Sequence, residues 1–274
     1  NDIYGEMVPL LQRIDDQQAQ LKKQNKELAE AESMRRDFSS NVSHEMKTPL
    51  QVISGYAELM KNDMVLPEDR QKFAGLIYDE AQAMRGLIND VLTLSKLDES
   101  AFAREERPID VTSVARRMAG RLESFAADEG VSISVKGASA HINGSETLAE
   151  EMLYNLIENA VRYNHAGGSV SVRVSQGAAS EEVLEALRAA GAEPDPASVV
   201  TVRVSDTGAG IPEEMREKVF ERFFRLDKSR SKETGGTGLG LAIVKHAVQY
   251  HHGTICVEGA QGEGATFVLR LPAA

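Results

Sequence analysis

The sequence is short of several things at once, and each shortage removes a class of protein. Its 274 residues include no tryptophan and only 5% aromatics, which leans away from aromatic-rich β-structure and toward helices. The single cysteine, Cys256, excludes an intrachain disulfide framework and a cysteine-based zinc cluster. Basic residues are outnumbered, 31 Lys and Arg against 42 Asp and Glu, so the formal net charge is −11. That balance is a poor footprint for direct nucleic-acid binding. No apolar run approaches the roughly 20 residues of a membrane-spanning helix, and no signal peptide is visible. The chain opens on Asn1, which suits a piece of a longer protein whose anchor lies outside it. Enough remains for a core: 42% of residues are apolar and 27% charged, and the length fits one large or two modest domains.

The first hundred residues carry helical periodicity. Leu10, Ile14, Gln17, Leu21, Gln24, Leu28 and Ala31 alternate spacings of four and three, the seam of a coiled coil; a long amphipathic helix lying on a globular body has the same pattern. Phe38 and Val42 continue the seam. Pro49 should kink the helix near Glu45 and Met46 without ending it, because apolar spacing resumes at Leu50, Ile53 and Leu59. Pro67 is well placed to open a second helix, on which Phe73, Leu76, Ile77, Met84, Leu87, Ile88, Val91 and Leu94 form an apolar stripe. A lone hairpin cannot bury both stripes, so a second copy completing a four-helix bundle is expected.

Composition changes near Arg104–Pro108. Beyond it, helical segments at 112–128, 148–163 and 239–250 mix with strand-like segments at 131–135, 170–174, 199–204, 254–257 and 266–271. The fold expected is α+β, a helical hairpin followed by an α/β sandwich with helices laid on one sheet. An Ala-, Gly- and Glu-rich insertion spans 176–198, where Ser180 could cap a short helix.

Four clusters could carry chemistry. In Ser43-His44-Glu45-Met46-Lys47-Thr48-Pro49-Leu50, His44 should face solvent, and an exposed imidazole is a competent nucleophile. Glu45 can orient the ring and take up a proton, and Thr48 lies one helical turn away. In Asn155-Leu-Ile-Glu-Asn159, followed by Arg162 and Tyr163, two amides share a helix face and could offer hard oxygens to Mg²⁺. Asp206-Thr207-Gly208-Ala209-Gly210-Ile211-Pro212 follows a strand, where an aspartate can accept from an exocyclic amine. It is no dinucleotide fingerprint, since Glu213 takes the third glycine's place. Gly235-Gly236-Thr237-Gly238-Leu239-Gly240-Leu241 opens a helix whose N–H groups would attract phosphate. Before it, Phe220, Phe223 and Phe224 interleave with Arg222, Arg225, Lys228, Arg230 and Lys232, a composition suited to a lid over a nucleotide. Each cluster alone has a bland reading as exposed helix, cap, turn or loop.

Their joint order is more specific. His-Glu-x-x-Thr-Pro, then Asn-x-x-x-Asn, Asp-x-Gly-x-Gly-Ile-Pro, Phe-x-Arg-Phe-Phe and Gly-Thr-Gly-Leu-Gly-Leu resemble the bacterial sensor histidine kinases of two-component systems, over about residues 35–274. The chain is similar to their phosphate-sensing class. The resemblance implies a coiled-coil signalling helix over 1–34, a dimerisation and histidine-phosphotransfer domain over 35–103, and a catalytic ATP-binding domain over 104–274 of the kind shared with gyrase and Hsp90-type ATPases. It implies His44 as phosphoacceptor, Glu45 as its acid/base partner and Thr48 as a residue supporting dephosphorylation of the partner. Asn159 would hold Mg²⁺, with Asn155, Arg162 and Tyr163 lining the ATP site. Asp206 would read adenine, with Gly208 and Gly210 shaping that pocket and Thr266 nearby. Gly236, Thr237, Gly238, Leu239 and Gly240 would form the phosphate-side loop, with Arg225 from the lid. The partners implied are a response-regulator receiver domain and a second copy of the chain. Membrane attachment is implied only through an N-terminal sensor region outside the sequence, which makes this chain a cytoplasmic portion.

Two rivals differ in class. Against a nucleotide-binding scaffold, a degenerate kinase that binds ATP and signals by conformation alone, stand the intact His44, Asn159 and Asp206; a chaperone- or topoisomerase-type ATPase has no need of the His-Glu-x-x-Thr-Pro hairpin. His246, His251 and His252 could suggest a metal site, but no supporting carboxylate or cysteine spacing accompanies them. Ser145 stands where many family members have Asp, at a position that touches no proposed chemistry.

Overall fold

The computed structural model describes residues 3–98, 107–226 and 236–274. They form two compact units, Asn1–Ala81 and Gln82–Ala274.

The first unit is dominated by one helix. Helix α1 (Ile3–Lys61) is continuous, so Pro49 does not break it. Proline removes the N–H that would donate to the Glu45 carbonyl, leaving a local gap in the ladder one turn beyond His44. Hydroxyls on this stretch bond back one turn: Ser39 Oγ to Arg35 O at 3.1 Å, Ser43 Oγ to Ser39 O at 2.8 Å and Thr48 Oγ1 to His44 O at 3.5 Å. The helix ends at a tight turn in which Asp63 takes a positive φ of 53° and pairs with Arg70 at 2.7 Å. Pro67 opens a short 3₁₀ turn (Pro67–Asp69), and helix α2 (Arg70–Asp98) follows. Tyr56 and Phe73 meet edge to face at 5.2 Å, tying the two helices of the hairpin together. Leu21, Leu28 and Leu50 remain 58%, 61% and 51% exposed, as expected for a seam with no partner chain beside it. The side chains of Leu10, Ile14 and Ala31, part of the same expected seam, lie outside the described residues.

The second unit takes in the later part of α2 and the α/β fold. Strand β1 (Arg107–Asp110) pairs antiparallel with β3 (His141–Gly144) in a two-stranded ladder that the sequence pattern does not reveal. Asp110 ends β1 and caps α3 (Val111–Arg121): its Oδ1 accepts from Thr112 N at 3.0 Å and Ser113 N at 3.2 Å. Hydroxyls of Ser113 and Ser139 donate to Oδ2 at 2.8 and 2.9 Å. Burial works to raise the Asp110 carboxyl, but these bonds together hold it down to about 2. The helix expected over 112–128 is divided at Leu122, with α4 covering Glu123–Asp128.

The main sheet has the order β2-β4-β5-β7-β6, from β2 (Ser132–Lys136), β4 (Ser169–Gly177), β5 (Val199–Asp206), β6 (Thr254–Gly259) and β7 (Ala265–Pro272). Only the β2–β4 pair is parallel. Helix α5 (Glu146–Arg162) packs between α3 and α7 (Gly240–Tyr250), and all three lie against the sheet. Alternation explains the layering: Val170, Val172 and Val174 are buried with the helices, while Ser169, Arg173 and Ser175 between them stay exposed. Within the insertion, α6 (Glu181–Ala189) buries Leu184 and Leu187 on Val199. Ser180 occupies its N-cap position, yet the hydroxyl makes no capping bond.

Candidate functional site

Chemistry-bearing residues fall into two groups, one in each unit. In the first, His44 sits on α1 with 79% of its side chain exposed, and Glu45 Oε1 lies 3.6 Å from its Nδ1. That distance is too long for a hydrogen bond but short enough for the carboxylate to act on the ring. Thr48 spends its hydroxyl on the His44 carbonyl rather than on the ring. Val42 and Met46 are half-buried while Ser43, His44 and Lys47 are exposed, so the apolar seam and the reactive side chain occupy different faces.

In the second unit three motifs distant in sequence converge. Asp206 closes β5, and its Oδ1 accepts from Gly208 N at 2.8 Å and from Ala265 N at 3.2 Å. Burial pushes its carboxyl up, and these two backbone bonds offset part of that rise. With Oδ1 engaged by both, Oδ2 is the oxygen left to a ligand's amine. Thr266 follows Ala265 on β7 and donates to Ser205 Oγ at 2.9 Å. Gly208 runs so close to the Tyr163 carbonyl that a Cβ would collide with it. Gly210 turns against Ala260 at a φ of +69°.

The glycine-rich segment meets the same region from the other side. Gly240 lies against Asn155 Oδ1, and Gly236 lies against the Tyr163 hydroxyl, which would be 3.3 Å from an added Cβ. Gly238 has a φ of +72° and accepts from Phe223 N at 2.9 Å, joining the Phe-rich segment to the loop. Arg225 reaches toward the same loop, with Nη2 4.0 Å from where a Gly236 Cβ would stand. Leu239 is fully buried, and its N–H donates to Thr237 Oγ1 at 3.2 Å. Asn155 and Asn159 are half-buried on one face of α5, and Asn155 Nδ2 donates to Glu151 O at 2.8 Å. Arg162 pairs with Glu158 at 2.7 Å and lies over the Phe125 ring at 5.4 Å. Lys228, Arg230, Lys232 and Gly235 lie outside the described residues, as do Arg104, Glu105 and Glu106 of the expected linker.

Sequence reasoning misses three contributors. Thr207 Oγ1 accepts from Ser169 N at 2.9 Å and donates to Asn164 Oδ1 at 3.1 Å, tying the Asp206 turn to the end of α5. The Asn164 position directly after Tyr163 is the only sequence signal for that tie. Asp90 on α2 accepts from Thr237 Oγ1 at 2.7 Å, and nothing local marks it. The histidine trio is no metal centre: His251 is buried, its Nε2 accepting from Ser145 N at 3.3 Å while Nδ1 lies 2.7 Å from Ala247 O. Burial lowers its affinity for a proton, with these backbone contacts working the other way. His252 Nδ1 lies 3.1 Å from Ala190 O, on the insertion.

Among the described residues no helix is long and apolar enough to cross a membrane. Residues 34–100 match the His Kinase A (phospho-acceptor) domain, and residues 144–274 match the family described as histidine kinase-, DNA gyrase B- and HSP90-like ATPase. The chain is 34% identical to the sensor-like histidine kinase SenX3 of Mycolicibacterium smegmatis, over 94% of this chain and 61% of that protein. It is 33% identical to the phosphate regulon sensor protein PhoR of Pseudomonas aeruginosa, over 88% of this chain and 50% of that one. The chain therefore spans only about half to three-fifths of these relatives. Among solved structures, full-length ShkA in complex with AMPPNP superposes with a TM-score of 0.58 at 28% identity, over 86% of this chain and 45% of that one. The helical hairpin and the ATPase-type fold are thus each matched by a known domain family. The chain belongs to the sensor histidine kinases of two-component systems.

Proposed function

We propose that this chain uses Mg²⁺-ATP to phosphorylate His44 and passes the phosphoryl group to an aspartate of a response-regulator receiver domain. The observation that carries the reading is His44 itself, 79% exposed beside Glu45 in a chain whose second unit has a nucleotide-type site. A ring nitrogen of His44 attacks the γ-phosphorus; the N–P bond forms as the P–O bond to ADP breaks. The attacking imidazole becomes cationic and must lose a proton. Glu45, 3.6 Å from Nδ1, offsets that charge and accepts the proton, which leaves Nε2 as the attacking nitrogen. Phosphoryl transfer needs mostly positioning and charge neutralisation, so the remaining residues have binding roles. Asp206 Oδ2 accepts from the adenine amine, with Gly208, Gly210 and Thr266 around it. Tyr163 and Arg162 flank the nucleotide, and Asn155, Gly236, Thr237, Gly238, Leu239, Gly240 and Arg225 surround its phosphates.

Mg²⁺ bound with phosphates keeps several waters and asks the protein for only one or two hard oxygens. The Asn159 amide fits that demand, helped by Asn155 one turn earlier. Mg²⁺ there would neutralise charge on the phosphates. The working parts are a signalling coiled coil (1–34), a dimerisation and phosphotransfer hairpin (35–103) and a catalytic domain (104–274), in a homodimer formed through the hairpin. Thr48 supports the reverse task, dephosphorylation of the regulator, and the chain acts as the cytoplasmic part of a membrane-linked sensor.

The test is incubation with Mg²⁺ and ATP labelled at the γ-position. Acid-labile protein label that disappears in His44→Ala is the expected result; equal labelling of that variant would overturn the assignment.

A further inference from the structure

The Thr237 hydroxyl has two partners, and one of them is unexpected. It accepts from Leu239 N at 3.2 Å, as a residue just ahead of α7 should. It also donates to Asp90 Oδ2 at 2.7 Å, 147 positions earlier in sequence. Asp90 belongs to the later part of α2, which lies in the same compact unit, Gln82–Ala274, as the glycine loop. Its neighbours do not make it a welcome anion. Burial raises its carboxyl to about 6, the Thr237 bond works against that rise, and the carboxylates of Glu151 and Glu158 on α5 add to it. A negative group is therefore held, at some cost, on the hydroxyl that accepts from Leu239 N at the opening of α7. The N–H groups at a helix opening are a natural seat for anions.

A nucleoside triphosphate brings several negative charges to that loop. A carboxylate already hydrogen-bonded to the loop repels them and occupies the Thr237 hydroxyl. We propose that Asp90 is a built-in competitor for the phosphate side of the glycine loop, holding Thr237 until a nucleotide triphosphate displaces it. This contact makes α2 a latch on nucleotide loading. The inference rests on the nucleotide-binding reading of this site. It also predicts a dependence that simple loosening would not produce: the gain on removing Asp90 should grow with the number of phosphates.

Calorimetric titration of the full chain with Mg²⁺-AMPPNP, Mg²⁺-ADP and adenosine tests it, comparing wild type with Asp90→Asn and Asp90→Ala. Asp90→Asn keeps the size and an accepting oxygen while removing the charge, and a thermal melt verifies that each variant is folded. Both variants should bind AMPPNP about five-fold or more tightly, ADP with a smaller gain, and adenosine unchanged. Unchanged or weaker AMPPNP binding by both variants overturns the latch and makes Asp90 a support of the loop. An equal gain for adenosine also overturns it, because phosphate charge is then irrelevant. If Asp90→Ala gains and Asp90→Asn does not, competition by charge is wrong. If no protein, wild type included, binds any of the three ligands, the nucleotide reading itself falls and the latch with it.

Discussion

The two units bury themselves very differently. In the second, α5 alone buries Leu148, Ala149, Met152, Leu153, Leu156, Ile157, Ala160 and Val161. In the first, Val65 is the sole buried hydrophobic among the described residues, and Leu21, Leu28 and Leu50 stand more than half exposed. A groove of about 540 Å³ lies at the end of α1 and the turn after it, lined by Val52, Tyr56, Leu59 and Met64 among others. One unit buries a core of its own; the other leaves apolar side chains exposed, a surface suited to a second helical hairpin. The contrast matches the division of labour proposed above, in which a rigid pocket holds a small molecule and an open hairpin meets proteins.

The largest expected effects probe that contrast directly. Leu156→Ala, at a fully buried site, should destabilise the second unit by about 3 kcal/mol in denaturant unfolding. The same truncation at Leu50 should leave unfolding of an isolated protomer nearly unchanged and instead weaken self-association measured by sedimentation. Equal stability losses at both positions would erase the distinction between the units. Next in size is Asp206→Asn, which keeps the shape but replaces the accepting carboxylate. It should weaken nucleotide binding about 100-fold by calorimetry, the loss of a buried charged hydrogen bond worth roughly 3 kcal/mol. The helicity of the hairpin should not change.

A smaller effect depends on pH. Asp90 titrates at about 6 rather than 3.8, so the folded chain binds more protons than the unfolded one between those values. Stability therefore falls as pH rises through that window. The groups facing Asp90 there are Thr237, Glu151 and Glu158. Asp90→Asn should match wild type below pH 4 and exceed it by roughly 2 kcal/mol above pH 7, allowing for partial screening. A pH-independent difference in the melts would contradict this. The smallest effect is Asp110→Ala, whose lost cap on α3 should cost about 1 kcal/mol in the same unfolding assay.

Much of this architecture is legible in the sequence because helical periodicity is local. The apolar stripes of α1, α2 and α5 mark them, and Pro67 marks where the second arm begins. The pair β1–β3 is not legible, since strands of four residues containing Pro108 and Gly144 are too short for a period of two to stand out in the sequence. Their pairing, Asp110 with His141 at one end, spans about thirty residues. The division at Leu122 is equally hidden, because both flanking segments have good helix formers. Pro49 is legible as an interruption that does not end the helix, and α1 runs through it because a long helix tolerates one missing bond. At the site, each motif is visible as a turn or a helix face. What no motif contains is the long-range set of approaches, Gly240 to Asn155, Gly208 to Tyr163 and Thr237 to Asp90, that brings the segments together.

The central claim is that the open hairpin receives the phosphoryl group that the closed pocket supplies. Its most direct measurement is to react the intact chain with Mg²⁺-ATP, digest it at neutral pH and locate the phosphate by mass spectrometry. Phosphate is expected on the peptide carrying His44, on an imidazole nitrogen, and far less of it when Asp206→Asn is treated at an ATP concentration that just saturates the wild type. Phosphate on any other residue, or ATP turnover with no phosphorylated peptide, would contradict it.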